Sequence, residues 1–209
     1  MDWIWIILIG IFTGTFGCAI PGILNTSILQ ITVQQGKSAA MKFIGGALLI
    51  IFLQTFLSVY FARFINQNPY VSDIINEIGI AIFLGLAIYF FCKKKKKTPT
   101  KISQTKIQKI MSKPFFYGII LAILNIFTIL FYVFLSLSLK ENNLFDFYLP
   151  SILSLSIGVT IGAYFAFSLY LWLGQQKKAN DLYVVQKIYP ILGVLSLIIA
   201  GINAIKVFR

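Results

Sequence analysis

Six long apolar stretches run along the chain, and short polar segments separate them. Each stretch is long enough to cross a bilayer as a helix, which takes about 20 residues. Barrel strands would instead alternate apolar and polar side chains over about ten residues, and a run such as Ile78 to Phe91 shows no alternation. A lone strand also leaves its backbone groups without partners in lipid, so every span is predicted to be helical. The predicted spans are Trp3 to Ile31, Phe43 to Phe64, Ile74 to Cys92, Phe115 to Leu139, Tyr148 to Leu173 and Ile188 to Phe208.

The composition agrees with a membrane protein and excludes several kinds of chemistry. Of the 209 residues, 58% are apolar and only 11% are charged, whereas about 25% are charged in an ordinary soluble domain. The chain has no His, which excludes Ser-His-Asp triads, His metal sites and imidazole proton relays. The six acidic residues fall at span ends or in loops, so proton coupling through a carboxylate inside the membrane is disfavoured. We therefore expect no enzyme activity, no metal site and no cofactor.

The distribution of the basic residues, which give the chain a net charge of +12, predicts the orientation of the spans. A strongly basic protein can bind nucleic acid, but here the basic residues lie in short loops, where they favour the cytoplasmic side of the membrane. Alternate loops carry fourteen Lys and Arg on one side and four on the other. This asymmetry predicts that both termini lie outside and that the lysine-rich loop from Lys93 to Lys113 is cytoplasmic.

That loop also divides the chain into two similar parts. Residues 1–92 hold three predicted spans, residues 93–113 form the loop, and residues 114–209 hold three more. A unit of three spans that is followed by another must be inverted in the membrane, as in many transporters. The sequence thus predicts an all-α membrane protein of six transmembrane helices, arranged as two inverted three-helix repeats.

The first predicted span carries the clearest candidate site. Pro21 and Gly22 interrupt its apolar run, because Pro lacks an N–H and Gly is a weak helix former. Asn25 and Thr26 follow within the next turn. The interruption is either a packing kink or a broken helix whose amides face the carboxylate of a solute.

The second half partly repeats this pattern. Gly118, Ala122, Asn125 and Ile129 repeat the spacing of Gly14, Cys18, Pro21 and Asn25 at an offset of 104 residues. Asn125 and Thr128 are therefore further candidates for solute binding. Small-residue positions that allow close helix packing are Gly10 and Gly14 in the first span and Gly158 and Gly162 in the fifth.

The motifs around the first interruption resemble those of the LysE/RhtB family of amino-acid exporters, and the resemblance covers nearly the whole chain. The matching residues are Pro21-Gly22-Ile23-Leu24-Asn25, Gln35-Gly36-Lys37-Ser38-Ala39-Ala40, Gly45-Gly46 and Asn125. Ile23 and Ile126 stand where the family has Pro, and Ile50-Ile51 stands where it has Gly-Asp, so the chain resembles a divergent member.

The resemblance implies a LysE-type translocator that exports amino acids or related small zwitterionic metabolites by alternating access. The expected partners are the solute and the lipid bilayer, with no nucleic acid and with a homo-oligomer left open. The expected location is the inner (plasma) membrane of a bacterium. The residues expected to bind the solute are Pro21, Gly22, Asn25, Thr26, Asn125 and Thr128.

Two other functions stay open at this point. A helix bundle that does not transport could use its glycine faces to bind a partner protein. A thiol electron carrier could use Cys18 and Cys92, although buried free cysteines mostly behave as small apolar residues.

Overall fold

The computed structural model describes residues 3–20, 22–67 and 113–176, and all regular secondary structure in these ranges is α-helical. The predicted spans Ile74 to Cys92 and Ile188 to Phe208 lie outside the described residues, as does the lysine-rich loop except Lys113. The helices are α1 (Trp3–Ala19), α2 (Ile23–Gln35), α3 (Lys37–Asn66), α4 (Pro114–Ile123), α5 (Phe127–Glu141) and α6 (Leu149–Gln175).

Two of these helices, α3 and α6, are each long and apolar enough to cross a membrane. The other four form two bent pairs, and each pair has the length and composition of one span. The axes of α1 and α2 meet at 72°, and those of α4 and α5 at 56°. The described residues therefore hold between two and four candidate spans.

The outer face of α1 shows why the protein belongs in lipid. Ile4, Leu8, Phe12 and Phe16 follow one another at every fourth position and are between 48% and 70% exposed. Residues four apart lie on one side of a helix, so these side chains form a continuous exposed apolar surface. Soluble monomers rarely expose an apolar surface of this extent, whereas hydrocarbon chains solvate it.

The opposite face of α1 packs closely on α6 through four glycines. A methyl group added at Gly10 would lie 2.7 Å from the Leu155 carbonyl oxygen, and one at Gly14 would overlap the Val159 carbonyl. From the other side, additions at Gly158 and Gly162 would overlap backbone atoms of α1. Only glycine allows the two backbones to approach this closely.

A second close contact between helices, again made by glycines, joins α3 to α4. We call each of these two contacts a glycine crossing. A methyl group added at Gly46 would overlap the Phe115 carbonyl, and one at Gly118 would overlap the Phe43 carbonyl. Phe43 and Tyr117 also pack together, with ring centroids 5.5 Å apart. At the first crossing Gly10 lies against Leu155 and Gly14 against Val159, so α1 runs parallel to α6. On α3, Phe43 lies against Gly118, and Gln54, further along the helix, bonds to the carbonyl of Ala122, further along α4, so α3 runs parallel to α4.

The two crossings repeat each other atom by atom. A methyl group added at Gly14 would overlap the Val159 carbonyl, just as one added at Gly118 would overlap the Phe43 carbonyl. Gly162 meets the Ile11 carbonyl and the Thr15 amide, and Gly46 meets the Phe115 carbonyl and the Ile119 amide in the same way. Positions on α1 and α4 differ by 104 residues, and those on α3 and α6 by 116. Each crossing therefore pairs a helix of one predicted half with a helix of the other.

The chain divides into two compact units, Met1–Phe61 with Thr100–Asn180 and Ala62–Pro99 with Asp181–Arg209. The first unit contains α1, α2, α4, α5, α6 and most of α3. Both glycine crossings and both helix breaks lie within it. Of the second unit, the structure describes only the end of α3 and residue 67.

Candidate functional site: two helix breaks

The first break separates α1 from α2. Helix α1 ends at Ala19, α2 begins at Ile23, and Pro21 between them lies outside the described residues. Gly22 precedes α2 in an extended conformation (φ −120°, ψ −167°). Since Gly22 has no side chain with which to cap the helix, the first N–H groups of α2 keep their hydrogen-bonding capacity for another partner.

Asn25 holds this break from inside the first turn of α2. Its side chain is 3% exposed, and its Nδ2 donates to the carbonyl oxygens of Cys18 at 2.7 Å and Ile20 at 2.6 Å. Both bonds stay within the α1 to α2 segment. The Oδ1 atom has no hydrogen-bond partner among the described residues, so the amide presents a buried acceptor beside the break.

Tyr170 of α6 completes the capping of α1. Its hydroxyl donates to the Ala19 carbonyl at 2.7 Å. Together with Asn25 it provides donors for three successive carbonyls, those of Cys18, Ala19 and Ile20. The last carbonyls of a helix have no partner within the helix, and at membrane depth they must be satisfied by protein or by a cavity.

The second break, at Leu124 to Ile126, interrupts the span predicted from Phe115 to Leu139, and the bent pair α4 and α5 still has the length and composition of one span. No Pro or Gly lies there, so local residue types do not indicate an interruption, and the sequence signal for it is the repeat that aligns Asn125 with Pro21. The Asn125 N–H bonds to the Ala122 carbonyl at 3.0 Å, a tightened last turn that ends α4. Gln54 of α3 donates to the same oxygen through Nε2 at 3.1 Å, which stabilises the break from the neighbouring helix.

The two breaks occupy equivalent positions. Residues 124–126 follow residues 20–22 by the same 104 residues that relate Gly118 to Gly14. Gln54 and Tyr170, which differ by the 116 residues that relate α3 to α6, each donate to a carbonyl at the end of the helix before the break. Each break is therefore held by the long helix of the other predicted half.

The remaining predicted residues lie around these breaks. Thr26 is half-buried, and its hydroxyl donates to the carbonyls of Gly22 at 3.0 Å and Ile23 at 3.1 Å. Asn125 is half-buried in the second break, and Thr128 is 9% exposed in the first turn of α5. In the described ranges no hydrogen bond joins Asn25 to Asn125, so each belongs to its own break.

Sequence reasoning missed Gln54, Thr55 and Tyr170. Gln54 and Thr55 are 7% and 0% exposed, and both lie near the middle of the apolar helix α3. An amide in the middle of a membrane helix is itself a signal, since it needs a partner there. Tyr170 gave no such signal, because a tyrosine near a helix end equally suits the membrane interface.

The thiol-carrier hypothesis gains no support from the geometry of the described residues. Cys18 lies half-buried at the end of α1, and Cys92 lies outside the described residues. No cluster of three His, Cys, Asp or Glu suited to a metal ion occurs in the part of the chain that the structure describes.

Apolar helices that are broken at buried polar groups are typical of membrane transporters. The family model of the LysE type translocator matches residues 15–206, and the chain belongs to this family. No curated protein and no solved structure gives a significant match. The protein is thus a multi-pass membrane transporter for a small-molecule solute rather than an enzyme, and the partner-binding and thiol-carrier alternatives are not favoured.

Proposed function

We propose that this translocator exports amino acids or related small zwitterionic metabolites by alternating access, and that the solute binds at the two helix breaks. The observation that carries the proposal is the equivalence of the breaks, each of which leaves polar groups buried among apolar helices. Transporters of several folds bind their solutes at such discontinuous helices.

The first break offers complementary groups for both ends of a zwitterion. The uncapped N-terminus of α2 carries partial positive charge and free N–H groups, which favour a carboxylate. The Asn25 oxygen is buried and unpaired, so it can accept a hydrogen bond from an ammonium. Gly22 and Thr26 shape this end, and Pro21 is assigned to it from the sequence.

The packing directions support six spans in two inverted repeats. Helices α3 and α4 run parallel. If both span the membrane, the chain must therefore pass through the membrane an odd number of times between them. The predicted span Ile74 to Cys92, outside the described residues, provides one such passage through the membrane. We therefore retain residues 1–92, 93–113 and 114–209 as two repeats with a connecting loop. We also keep the bacterial inner membrane as the location, with the termini outside.

The glycine crossings indicate which parts would move. Because α1 packs on α6 and α3 packs on α4, a motion of one sequence half against the other would break both crossings. We propose instead that the pair α1 and α6 rocks against the pair α3 and α4. Helix α2, which contacts both α6 and α4, lies between the pairs, beside the proposed site.

The exposed apolar faces are assigned to lipid, and a homo-oligomer through one of them stays open.

The test is export from cells that express the chain. Extracellular amino acids are measured by mass spectrometry while the cells are fed dipeptides, for the wild type and for the variants Pro21→Ala, Asn25→Ala and Asn125→Ala. We expect a subset of amino acids to accumulate outside, and we expect each variant to reduce that accumulation. Asn142→Ala is the matched control, because Asn142 is exposed and its Nδ2 bonds to the Ser138 carbonyl at its own helix end.

Either of two results would overturn the proposal. The amino-acid assignment fails if no amino acid accumulates while the wild-type protein is present in the membrane. The site assignment fails if amino acids accumulate equally for the wild type, Asn25→Ala and Asn125→Ala at matched protein levels.

A further inference from the structure

We infer that Gln54 is a solute-binding residue whose amide oxygen receives the ammonium group of the exported molecule. The inference rests on the proposed function and adds to it a residue on α3, outside the motifs that the sequence singled out. It also defines what this part of the site selects, which is a hydrogen-bond donor of positive charge.

Gln54 is linked directly to the second break. Its Nε2 and the backbone N–H of Asn125 both donate to the Ala122 carbonyl, at 3.1 and 3.0 Å. The Gln54 amide and the start of the interruption are therefore joined through a single oxygen atom. Gln54 is 7% exposed, and its Oε1 has no hydrogen-bond partner among the described residues.

Tyr170 shows that capping the break does not require this second polar atom. At the equivalent break the Tyr170 hydroxyl donates to the Ala19 carbonyl at 2.7 Å, and no additional buried oxygen is left unpaired there by Tyr170. Gln54 performs the same capping but also places a strong acceptor in the apolar interior. A buried acceptor without a partner is destabilising, so we assign the oxygen to a ligand.

The unpaired atoms define the ligand's chemistry. The buried side-chain atoms without a partner in the described residues are Asn25 Oδ1, Gln54 Oε1 and Thr55 Oγ1, and all are oxygens. The Asn25 nitrogen donates both of its hydrogens to helix-end carbonyls, and the Gln54 nitrogen donates one to the Ala122 carbonyl, so the amide atoms left without any bond are the two acceptor oxygens. A protonated amine provides several donors and a positive charge, which suits acceptors near the negative ends of α1 and α4.

The test compares matched pairs of probes that differ only at the amine. Alanine is paired with lactate and phenylalanine with phenyllactate, together with any exported amino acid and its 2-hydroxy counterpart. Binding is measured from the thermal stabilisation of the purified full-length protein at a series of probe concentrations. Uptake of the same probes into proteoliposomes gives KM and maximal rate. The variants are Gln54→Met, Gln54→Glu and Tyr170→Phe.

If the Gln54 oxygen binds the ammonium, Gln54→Met weakens binding of the amino probe about tenfold, the loss of one charge-assisted hydrogen bond. Binding of the hydroxy probe then changes by less than about threefold. Gln54→Glu keeps an oxygen but loses the N–H donor, so it retains the preference for the amine. Tyr170→Phe loses only a capping bond and leaves the ratio of amino to hydroxy binding at the wild-type value.

Other results overturn the inference in distinguishable ways. If Gln54→Met and Gln54→Glu both leave the ratio unchanged, or if Tyr170→Phe lowers the ratio as much as Gln54→Met does, Gln54 only positions the helices. If Gln54→Met instead changes the response to replacing Na⁺ with choline and leaves the amine preference intact, an alkali cation occupies the oxygen. If no amino acid is transported but amines still stabilise the protein in a Gln54-dependent manner, the ammonium site stands and the proposed export of amino acids fails. Without transport and without amine binding, both are wrong.

Discussion

Gly14 lies directly against the backbone carbonyl of Val159, with no room for a side chain between the two helices. The relationship is repeated between Gly118 and Phe43, so one kind of contact joins α1 to α6 and α4 to α3. In both places a helix from before the lysine-rich loop meets a helix from after it. The two predicted halves are therefore interlocked, and their packing is set by the backbone itself.

Replacing Gly14 by Ala should destabilise the protein by about 1–3 kcal/mol, because the new methyl group overlaps the Val159 carbonyl and the helices must separate. Thermal unfolding of the purified protein in detergent measures the loss. Gly17→Ala is the control on the same helix, since nothing lies within 4 Å of an added Cβ there. That variant should be as stable as the wild type or slightly more stable. Equal stability of both variants would mean that α1 does not pack on α6 as described.

Adjacent glycines on α3 provide a sharper comparison. Gly46→Ala should destabilise the protein, because the methyl group would overlap the Phe115 carbonyl. Gly45→Ala should be tolerated, because its Cβ would lie 3.9 Å from the Phe115 ring, an ordinary contact. The ratio of folded to aggregated protein after heating, followed by size-exclusion chromatography, separates the two cases. A greater loss for Gly45→Ala would show that α3 presents a different face to α4.

The sequence was sufficient to predict the helical class, the interruption near Pro21 and the small-residue positions Gly10, Gly14, Gly158 and Gly162, which lie in α1 and α6. Each of these depends on a local property: an apolar run, a missing N–H or the spacing of small residues. The sequence also placed Gly118 at the position equivalent to Gly14. It did not indicate that Gly118 meets Phe43, because partners from distant parts of the chain cannot be determined from spacing alone.

Local residue preferences could not predict the break at Leu124 to Ile126, for a physical reason. Its residues are compatible with a helix, and the bond from Gln54 to the Ala122 carbonyl comes from a helix 68 residues away. Tertiary contacts of this kind override local propensity. The repeat at an offset of 104 residues was the available signal, because it aligns Asn125 with Pro21.

Removing the Tyr170 hydroxyl should have a moderate and specific effect. Tyr170→Phe loses the bond to the Ala19 carbonyl, and we expect a cost of about 1 kcal/mol, typical of a hydrogen bond between membrane helices. Chemical unfolding compared with Tyr164→Phe tests this, since Tyr164 is 41% exposed and its substitution should cost little. A similar loss in both variants would indicate a general effect of removing a tyrosine hydroxyl. The cap on α1 would then be unimportant for stability.

The start of α3 and the segment between α5 and α6 should be accessible from opposite sides of the membrane. Ser38 is exposed in the first turn of α3, on the predicted cytoplasmic side, and Leu144 is 50% exposed in the segment between α5 and α6, on the predicted outer side. In a background with Cys18→Ser and Cys92→Ser, Leu144→Cys should react with a membrane-impermeant maleimide on intact cells. Ser38→Cys should react only after the cells are opened, and denatured protein labelled in detergent provides the control for intrinsic reactivity. Labelling of both positions from the same side would contradict the odd number of membrane passages that the parallel packing of α3 and α4 requires. Labelling of Ser38→Cys from outside and of Leu144→Cys only in opened cells would reverse the orientation that the lysines predict.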